Sequence, residues 1–492
     1  MPDPRGFLRY RREEPARRPV SIRTRDWREV YAPADPAAMR EQAARCMDCG
    51  IPFCHSTSVG CPLGNRIPDW NDLVRSGDWA RAIDELHATN NFPEFTGKLC
   101  PAPCESACVL GIADDPVTIK HIEATIIERA FDDDLVQPSF VPHWSRRSIG
   151  VVGSGPTGLA AAQQLARAGH RVVVYERDDA IGGLLRYGIP DFKLEKHHID
   201  RRIAQLSAEG VRFVTSCAVG ADLNAEQLRT EHDALLLACG ALAARDAAVP
   251  GRELTGVYQA MDYLVGANRS VAAPGQPPPI DVAGKQVVII GGGDTAADCL
   301  GVAHRQGAAN VTQLDRYPEP PAVRDTTLDP WPTRPWLLRS YPAHEEGGAR
   351  AFAVTASEFL HDTVGAVRAV RVTQVRVRRD GAHRVVEQLS GSEHDIAAEV
   401  VLLAIGFAGT EDDPMLRQLS LTRSSEGVLN SNASWQTDAP GVFVAGDMRR
   451  GASLIVWAIA EGRSAAAAIH TYLGGLSTLP APVAPDEALL RA

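Results

Sequence analysis

Two separate stretches of the chain repeat the same order of local patterns. Residues 146–177 (RRSIGVVGSGPTGLAAAQQLARAGHRVVVYER) and 285–316 (KQVVIIGGGDTAADCLGVAHRQGAANVTQLDR) each begin with a short apolar run. Each continues through a glycine-rich turn into a helical segment and ends on a second apolar run. This strand–turn–helix–strand order is typical of folds that bind a dinucleotide at the turn. Its repetition predicts two nucleotide-binding domains of the α/β class.

The first turn has the glycine spacing of a dinucleotide site. Gly153, Gly155 and Gly158 fit the pattern G-x-G-x-x-G, which permits a tight turn, close approach of a pyrophosphate and close packing of helix on strand. Pro156 begins the predicted helix. Glu176 follows the second strand, where a carboxylate accepts hydrogen bonds from ribose hydroxyls. A purely structural glycine turn is the alternative, but the position between strand and helix favours a dinucleotide.

Two later segments indicate that this dinucleotide is FAD. A glycine doublet follows soon after the second strand, and far downstream VFVAGDMRRGASLIVWAIAEGRSAA (442–466) contains another strand and a helix. The carboxylate of Asp447 suits a hydrogen bond to the ribityl chain, and the helix start suits the isoalloxazine ring. Because this segment completes the first domain, the second domain is inserted within it, as in flavoprotein disulfide reductases. The FAD contacts predicted here are Gly183, Leu184, Gly446, Asp447, Ser453 and Leu454.

The second turn predicts a nicotinamide dinucleotide. Its pattern is G-x-G-x-x-A, and alanine in the third place is commoner where the cofactor is NADPH. The carboxylate of Asp315 favours the free 2′-hydroxyl of NADH, whereas the guanidinium of Arg316 favours the 2′-phosphate of NADPH. An ordinary surface ion pair is the alternative for either residue. The predicted contacts are Gly291, Gly293, Asp294, Thr295, Ala296, Asp315 and Arg316, with NADPH favoured slightly over NADH.

Seven of the ten cysteines lie in CMDCGIPFCHSTSVGC (46–61) and CPAPCESAC (100–108). The start of the chain is basic and lacks the apolar core of a signal peptide, and no run reaches the roughly 18 apolar residues of a membrane span. The chain is therefore predicted to be cytoplasmic, where clustered cysteines bind metals or act in redox chemistry more often than they form disulfides. The net charge of −10 argues against nucleic acid or an anionic membrane as the main partner.

The cysteine spacing indicates a metal site. Cys46, Cys49 and Cys54 have the spacing of zinc and iron–sulfur proteins. A closed zinc site takes four ligands, and seven cysteines do not divide by four. A neighbouring flavin favours iron–sulfur clusters, because these are the usual acceptors of single electrons from a flavin. Zinc and free thiols are the alternatives.

Two [4Fe–4S] clusters need eight ligands, so seven cysteines leave one position open. Glu123 follows the last cysteine of the series on a predicted helix that also carries four isoleucines. A carboxylate among isoleucines is a candidate eighth ligand. The alternative is an ordinary exposed glutamate beside Lys120.

These patterns predict the order of domains. The fold class is α/β, with an N-terminal α-helical iron–sulfur domain followed by two Rossmann-like nucleotide-binding domains, the NAD(P)H domain being inserted in the FAD domain. A linker at 271–281 precedes the second stretch, and residues 317–336 after it are too rich in proline for helix or strand. The predicted domains are 1–145 (two [4Fe–4S] clusters), 146–250 (first segment of the FAD domain), 251–420 (NAD(P)H domain), 421–475 (second segment of the FAD domain) and a tail, 476–492, wrapped on the surface or disordered.

Taken together, the motifs resemble the small (β) subunit of glutamate synthase. The resemblance rests on CxxCGIPFC, CPLGN, CPAPCE, VTIKHIE, VGSGPTGLAAA, GGLLRYGIPDFKL, GGGDTAADC and AGDMRRGASLIVWAIAEGR, which occur in the order of the family. It covers roughly residues 30–475. The same module is found in the N-terminal part of dihydropyrimidine dehydrogenase and in the large subunit of an electron-bifurcating NADH–ferredoxin:NADP oxidoreductase.

The resemblance implies an electron-input subunit that oxidises NAD(P)H through FAD. Electrons would pass through two [4Fe–4S] clusters to a large (α) subunit, which makes two L-glutamate from L-glutamine and 2-oxoglutarate. It also implies a hetero-oligomer in which the cluster ligands interleave along the chain. Cys46, Cys49, Cys54 and Cys108 would hold one cluster, and Cys61, Cys100, Cys104 and the non-cysteine ligand Glu123 the other.

The chain departs from the family pattern in two places. The A-T-G often found near the end of the first unit is Ala238-Cys239-Gly240 here, and the basic pair of NADPH-using bacterial members is replaced by DRYPEPP. The second departure is more similar to the branch that includes NADH-using eukaryotic forms. It leaves the choice of nicotinamide open.

Other functions fit the sequence less well. The first cysteine is Cys46, so the N-terminal cysteine nucleophile of glutamine amide hydrolysis is absent, and no strand–helix repeat remains to build an FMN barrel. The chain is therefore expected to need a partner to make glutamate. One alternative is a free-standing or differently partnered NAD(P)H:acceptor iron–sulfur flavoprotein. Another is a zinc-stabilised scaffold, which the intact glycines, Glu176 and Asp447 disfavour.

Overall fold

Helices make up the first section of the chain, and strands alternate with helices after residue 148. The computed structural model describes residues 3–141, 144–380, 383–476 and 478–488. Two short 3-10 helices span Phe53–His55 and Val109–Ile112. The α-helices are α1 (Gly6–Arg9), α2 (Val20–Arg23), α3 (Pro36–Ala44), α4 (Ile67–Ser76), α5 (Trp79–Thr89), α6 (Pro93–Leu99), α7 (Pro103–Ser106), α8 (Ile119–Asp132), α9 (Pro156–Arg167), α10 (Leu184–Tyr187), α11 (His197–Ala208), α12 (Ala225–Glu231), α13 (Ala260–Ala272), α14 (Asp294–Arg305), α15 (Pro342–Glu345), α16 (Pro414–Gln418), α17 (Asp447–Arg450) and α18 (Ile455–Tyr472).

In the described ranges, the strands begin at residue 148 and belong to four separate sheets. In chain order they are β1 (Ser148–Val152), β2 (Arg171–Tyr175), β3 (Arg212–Val214), β4 (Ala234–Leu237), β5 (Ala243–Ala244), β6 (Val257–Gln259), β7 (Gln286–Ile290), β8 (Asn310–Asp315), β9 (Ala349–Phe352), β10 (Val354–His361), β11 (Val367–Asp380), β12 (His383–Gln388), β13 (His394–Ala397), β14 (Val400–Leu403), β15 (Phe407–Gly409) and β16 (Val442–Val444).

The amphipathic stretch at residues 69–90 forms two helices rather than one. Gly77 ends α4 in a left-handed conformation (φ 84°), which glycine adopts without steric cost. The Asp78 side chain then caps α5 by accepting a hydrogen bond from the backbone N–H of Arg81. The side chains of Trp70, Val74, Trp79, Ile83 and Leu86 on these two helices are buried in the core.

The first nucleotide-binding sheet is assembled from distant regions of the chain. Its five strands lie in the order β16-β4-β1-β2-β3, and all neighbours are parallel. Strand β16 pairs with β4 although about 200 residues separate them in the chain, within the right-handed parallel topology of this fold class. The segment after residue 440 therefore completes the first domain.

The second sheet lies wholly within that interval. Its five strands have the order β6-β14-β7-β8-β9 and are parallel. The chain crosses between the two sheets at β5 and β15, which pair as an antiparallel ribbon. After this ribbon, Met415 and Leu416 of α16 pack with Val152 of the first sheet. The domain boundaries at residues 250 and 420 stay predictions. We propose that the chain passes from one domain to the other at the β5–β15 ribbon.

An antiparallel sheet is added to the second domain, and the sequence patterns did not predict it. Strands β10, β12 and β13 all pair with β11. Phe359 and Val370 of this sheet pack against Val288 and Val401 of the parallel sheet, so the two share one core. The proline-rich stretch 317–336 contains neither helix nor strand, as predicted.

Buried ion pairs fix the helical domain to both nucleotide-binding domains. The guanidinium of Arg202 on α11 donates to Glu94 of α6 over 2.5 Å, and both side chains are almost fully buried. At a second place, Arg23 of the helical domain and Arg305 of the nicotinamide domain both pair with the buried carboxylate of Glu346. Removing one partner of such a pair leaves an unpaired buried charge, which typically costs about 3–5 kcal/mol. The three domains are therefore held in a defined arrangement.

The C-terminal stretch packs on the flavin-domain side of the chain. The backbone N–H of Val483 donates to the Ser464 hydroxyl over 3.1 Å, and Arg450 donates to the carbonyl of Glu487. Residues 477 and 489–492 of the predicted tail lie outside the described residues. Within the ranges described, no helix is both long and apolar enough to span a bilayer.

Candidate functional site

The first glycine turn lies at the carboxyl end of β1 and has open space where a phosphate would bind. A Cβ atom at Gly153 would lie 2.5 Å from the Ala238 carbonyl oxygen, and one at Gly158 would lie 2.0 Å from the Gly153 carbonyl oxygen. A Cβ at Gly155, by contrast, would meet nothing within 4 Å. The outer glycines thus allow tight packing, whereas the middle one leaves the backbone accessible at the start of α9. This geometry fits a pyrophosphate at a helix N-terminus.

Glu176 is oriented by the turn that it faces. Its Oε2 accepts hydrogen bonds from the backbone N–H and hydroxyl of Ser154, over 3.1 and 2.5 Å, and its Oε1 accepts from the N–H of Asp178. The same hydroxyl accepts from the N–H of Gly182, just before Gly183 and Leu184. Ser154 therefore joins the turn, the carboxylate and the glycine doublet. The sequence patterns did not single out this residue, although it lies within the fingerprint.

The two downstream segments meet this turn from the other side. A Cβ at Gly446 would lie 2.2 Å from the Thr157 hydroxyl of α9, so α17 begins directly against the dinucleotide helix. Asp447 begins α17, and its Oδ1 accepts from the hydroxyl of Ser453 over 2.6 Å. Burial raises the pKa of Asp447 to about 6. Leu454 follows as the residue before α18, so the predicted FAD contacts converge at one edge of the sheet.

Asp315 and Arg316, at the end of β8, lie in different places relative to the second turn. The Asp315 carboxylate lies over the turn, because a Cβ at Gly292 would come within 1.8 Å of its Oδ2. Arg316 is exposed; it donates to the Tyr317 hydroxyl over 3.1 Å, and its guanidinium lies 5.1 Å from the centre of that ring. The carboxylate thus lies over the turn, and the guanidinium lies at its exposed rim.

The start of α14 resembles that of α9. Gly291 ends β7 with φ 139°, and a Cβ at Gly293 would meet nothing within 4 Å. Asp294 begins the helix, and its Oδ2 accepts from the hydroxyl of Tyr341 over 3.0 Å. Thr295 and the buried Ala296 follow in the first turn of α14. The open backbone at Gly293 fits the pyrophosphate of a second dinucleotide.

The seven N-terminal cysteines are free thiols that fall into two groups. We define the outer group as Cys46, Cys49, Cys54 and Cys108. Burial raises the pKa of Cys54, and the other three thiols lie near enough to raise it further. Cys61 makes a smaller contribution, so the two groups are neighbours. Cys46 and Cys49 are half-buried, whereas Cys54 and Cys108 are buried.

The inner group consists of Cys61, Cys100, Cys104 and Glu123. These four side chains line one small cavity. Burial raises the pKa of Cys61 and of Cys100 to about 12, and the Glu123 carboxylate adds to both shifts. An exposed Glu123 was the alternative to a ligand role. The structure excludes this alternative, because the residue is only 6% exposed.

Glu123 is held through one of its two carboxylate oxygens. The amide of Asn90 and the hydroxyl of Thr96 both donate to Oε1, over 2.7 and 2.6 Å. Burial nevertheless raises the pKa of Glu123 to about 7, against the effect of these two donors. Among the described residues, none of the hydrogen bonds found ends on Oε2.

Both groups fit iron–sulfur clusters by the chemistry of their donors. Thiolate is the form that binds metal, and a bound cation keeps a buried thiol ionised. Three thiols and a carboxylate that line one cavity, and four thiols grouped beside it, provide eight donors for two clusters of four irons. No three His, Cys, Asp or Glu side chains of the described ranges are arranged around one point that would hold a single metal ion.

Comparison with known proteins shows the family to which the chain belongs. Residues 23–135 match the family described as dihydropyrimidine dehydrogenase domain II, 4Fe-4S cluster. Residues 147–331 and 345–462 match the pyridine nucleotide-disulphide oxidoreductase family. The chain is 56% identical over 497 residues to the glutamate synthase (NADPH) small chain of Mycobacterium tuberculosis, with 100% of both chains covered. The chain belongs to the glutamate synthase small-chain family.

Two more distant likenesses agree with this family. The glutamate synthase (NADH) of Schizosaccharomyces pombe is 40% identical over 489 residues, which cover 97% of this chain but 23% of that one. The structure of Mycobacterium tuberculosis FprA in complex with NADPH has a TM-score of 0.55 at 19% identity and covers 67% of this chain and 85% of that chain. The latter shows the fold alone.

Membership of the glutamate synthase small-chain family makes the chain an oxidoreductase with iron–sulfur, flavin and nicotinamide cofactors. The predicted family and fold class are confirmed. The number of clusters and the role of each predicted residue stay predictions.

Proposed function

We propose that the chain is the electron-input subunit of glutamate synthase. In this proposal it binds FAD, NADPH and two [4Fe–4S] clusters and delivers electrons to a large (α) subunit. That subunit would convert L-glutamine and 2-oxoglutarate to two L-glutamate. The name of the Mycobacterium tuberculosis relative supports the partnership, since a small chain implies a large one. The Schizosaccharomyces pombe relative supports it too, since the likeness to this chain occupies 23% of a longer glutamate synthase.

The observation that carries the proposal is the position of α18. The helix begins at Ile455, directly after the predicted flavin contacts Ser453 and Leu454. Its second residue, Val456, lines the cavity of the inner group. One helix therefore contacts both the candidate flavin site and a candidate cluster site. A chain that passes electrons from one cofactor to the other needs this proximity.

Each group of residues has a defined role in the proposal. When bound, FAD accepts a hydride from the nicotinamide and releases electrons singly, which iron–sulfur clusters carry. The two glycine turns would bind the pyrophosphates, Glu176 a ribose of FAD, and Asp447 the ribityl chain. The eight residues of the outer and inner groups would hold the irons. The protein also insulates the inner group, because its three thiols and its carboxylate are buried by packed side chains.

NADPH is the nicotinamide that we propose. The Mycobacterium tuberculosis relative is named as an NADPH enzyme. Asp315 lies over the turn and would accept from the ribose, while Arg316 at the rim is placed to pair with a 2′-phosphate. Tyr317 contacts the guanidinium and limits its freedom.

Replacing Arg316 tests this choice. We expect Arg316→Ala to raise KM for NADPH roughly ten- to hundredfold, since a charged hydrogen bond contributes about 1.5–3 kcal/mol, and to leave KM for NADH nearly unchanged. Steady-state kinetics with an artificial acceptor measure both values. The matched control is Arg324→Ala, in the proline-rich segment that follows, which should change neither KM. Equal effects on both nicotinamides in Arg316→Ala would contradict the phosphate role.

The proposed function itself is tested with the partner. The purified chain is given NADPH or NADH anaerobically, with glutamine and 2-oxoglutarate, before and after addition of a glutamate synthase large subunit from the same source. We expect oxidation and glutamate formation only after the addition. If the large subunit changes nothing while an artificial acceptor is still reduced, the natural acceptor is a different protein.

A further inference from the structure

The environment of Glu123 is more specific than a buried ligand requires. Its Oε1 accepts from two neutral donors, Asn90 and Thr96, and Asn90 also donates to Thr96 over 2.8 Å. All three side chains are buried: Asn90 is 0% exposed, Thr96 2% and Glu123 6%. A network of this kind is costly to bury unless every member has a partner, so its geometry is well defined.

Neither of the two donors lies on the helix that carries the Glu123 carboxylate. Glu123 lies on α8, Thr96 on α6, and Asn90 is the residue after α5. The Oδ1 of Asn90 accepts from the backbone N–H of Phe92 over 3.0 Å, which fixes the amide so that its NH₂ group faces the carboxylate. The rotation of the Glu123 carboxylate is therefore set by a separate wall of the cavity.

The next residue faces the opposite way, towards the flavin domain. Asn91 donates to Gln163 of α9 over 2.6 Å and accepts from Arg463 of α18 over 2.5 Å. Arg463 also donates to the carbonyl of Ala88. The two consecutive asparagines thus link the inner cavity to the two helices that start at the flavin site.

We propose that Asn90 and Thr96 are positioning residues for the inner cluster: by binding Oε1 of Glu123 they direct Oε2 to the iron and set the reduction potential of that cluster. This inference rests on the proposed ligand set. Hydrogen bonds to a ligand stabilise its negative charge, which favours the reduced and more negative form of a cluster. Loss of one donor therefore lowers the potential of the inner cluster and leaves the outer cluster unchanged.

The test uses the anaerobically purified chain with its flavin and iron, titrated with reductant and followed by electron paramagnetic resonance. Thr96→Val removes one donor at nearly constant volume, and Asn90→Leu removes the other without adding a charge. Loss of such a partner typically changes metal affinity about 10- to 100-fold. A tenfold change in the reduction equilibrium equals about 59 mV for one electron. We expect a downward shift of at least that size in one cluster, and roughly tenfold faster release of its iron to a chelator.

Matched controls separate positioning from packing. Thr125→Val makes the same chemical change in the helix of Glu123, where the hydroxyl donates only to the His121 carbonyl. Asn91→Leu makes the second change in the adjacent buried residue. Both controls should leave the potential of the inner cluster unchanged, and Thr96→Ser should keep the normal value because it keeps the hydroxyl.

Two outcomes overturn the inference and are distinguishable. If Glu123→Ala leaves iron content and both cluster signals intact, the proposed ligand set is wrong and the inference fails with it. If Glu123→Ala removes one cluster while Thr96→Val and Asn90→Leu leave its potential unchanged, the ligand set stands and the positioning role is wrong.

Discussion

The outer and inner groups both consist mainly of cysteine thiols but lie in different surroundings. The outer group includes two half-buried thiols, and beside its loops Ile51 and Ile112 are 67% and 59% exposed. The inner group is buried on all sides and shares its cavity with Val456 of α18. The two groups therefore differ in position: the inner group faces the flavin domain, and the outer group lies at the surface.

The two groups are also supported differently. The inner group is enclosed by helices of its own domain and by α18 of the flavin domain. The outer group is covered on one side by the proline-rich segment of the nicotinamide domain. There the ring of Trp331 packs edge-on against Phe53, with centres 4.8 Å apart, and Arg324 donates to the carbonyl of Ser106. The flavin domain thus contacts the inner group through α18, and the proline-rich segment contacts the loops beside the outer group.

Removal of one cysteine from each group gives the largest expected contrast. Cys104→Ala should abolish the inner cluster and destabilise the fold, because its ligands lie in the core and metal binding is coupled to folding there. Cys49→Ala should leave a folded flavoprotein that reduces a direct flavin acceptor but no longer delivers electrons to the large subunit. FAD content, thermal unfolding and both activities measure the difference. Collapse of both variants would break the comparison.

Iron release should follow the same order. With a soluble chelator under reducing conditions, we expect the outer group to lose iron roughly tenfold faster than the inner group, since the free energy of local opening rises from exposed loops to the core. The decay of the two cluster signals over time provides the measurement. Equal rates would mean that both sites open in one global step.

The contact with the proline-rich segment should have the smallest effect. Trp331→Ala removes an aromatic pair that contributes about 0.5–1.5 kcal/mol, so iron release from the outer group should rise roughly two- to tenfold. The inner group should not respond. Trp336→Ala is the matched control, because its side chain in the same segment is 40% exposed. An equal effect of the two substitutions would remove the special role of Trp331.

Several features of the site could be predicted because they depend on neighbours in sequence. The glycine spacing at 153–158 and 291–296, the acidic residue after each second strand and the cysteine spacing each reflect short-range geometry. The structure places these residues at the ends of strands and in two adjacent groups. Local pattern was not sufficient for the antiparallel sheet β10–β13, whose strands contain many charged residues and share a core with residues distant in the chain such as Val257 and Val288.

The sequence by itself determined that this chain has two dinucleotide turns, an inserted domain and seven grouped cysteines, because glycine conformations and residue spacing are properties of short segments. Only the tertiary structure decided that Glu123 is buried, that Asn90 and Thr96 hold one of its oxygens, and that Asp315 rather than Arg316 lies over the turn. Burial and hydrogen-bond partners arise where elements distant in the chain pack together. That packing is also what brings α18 from the flavin site to the cavity of the inner group.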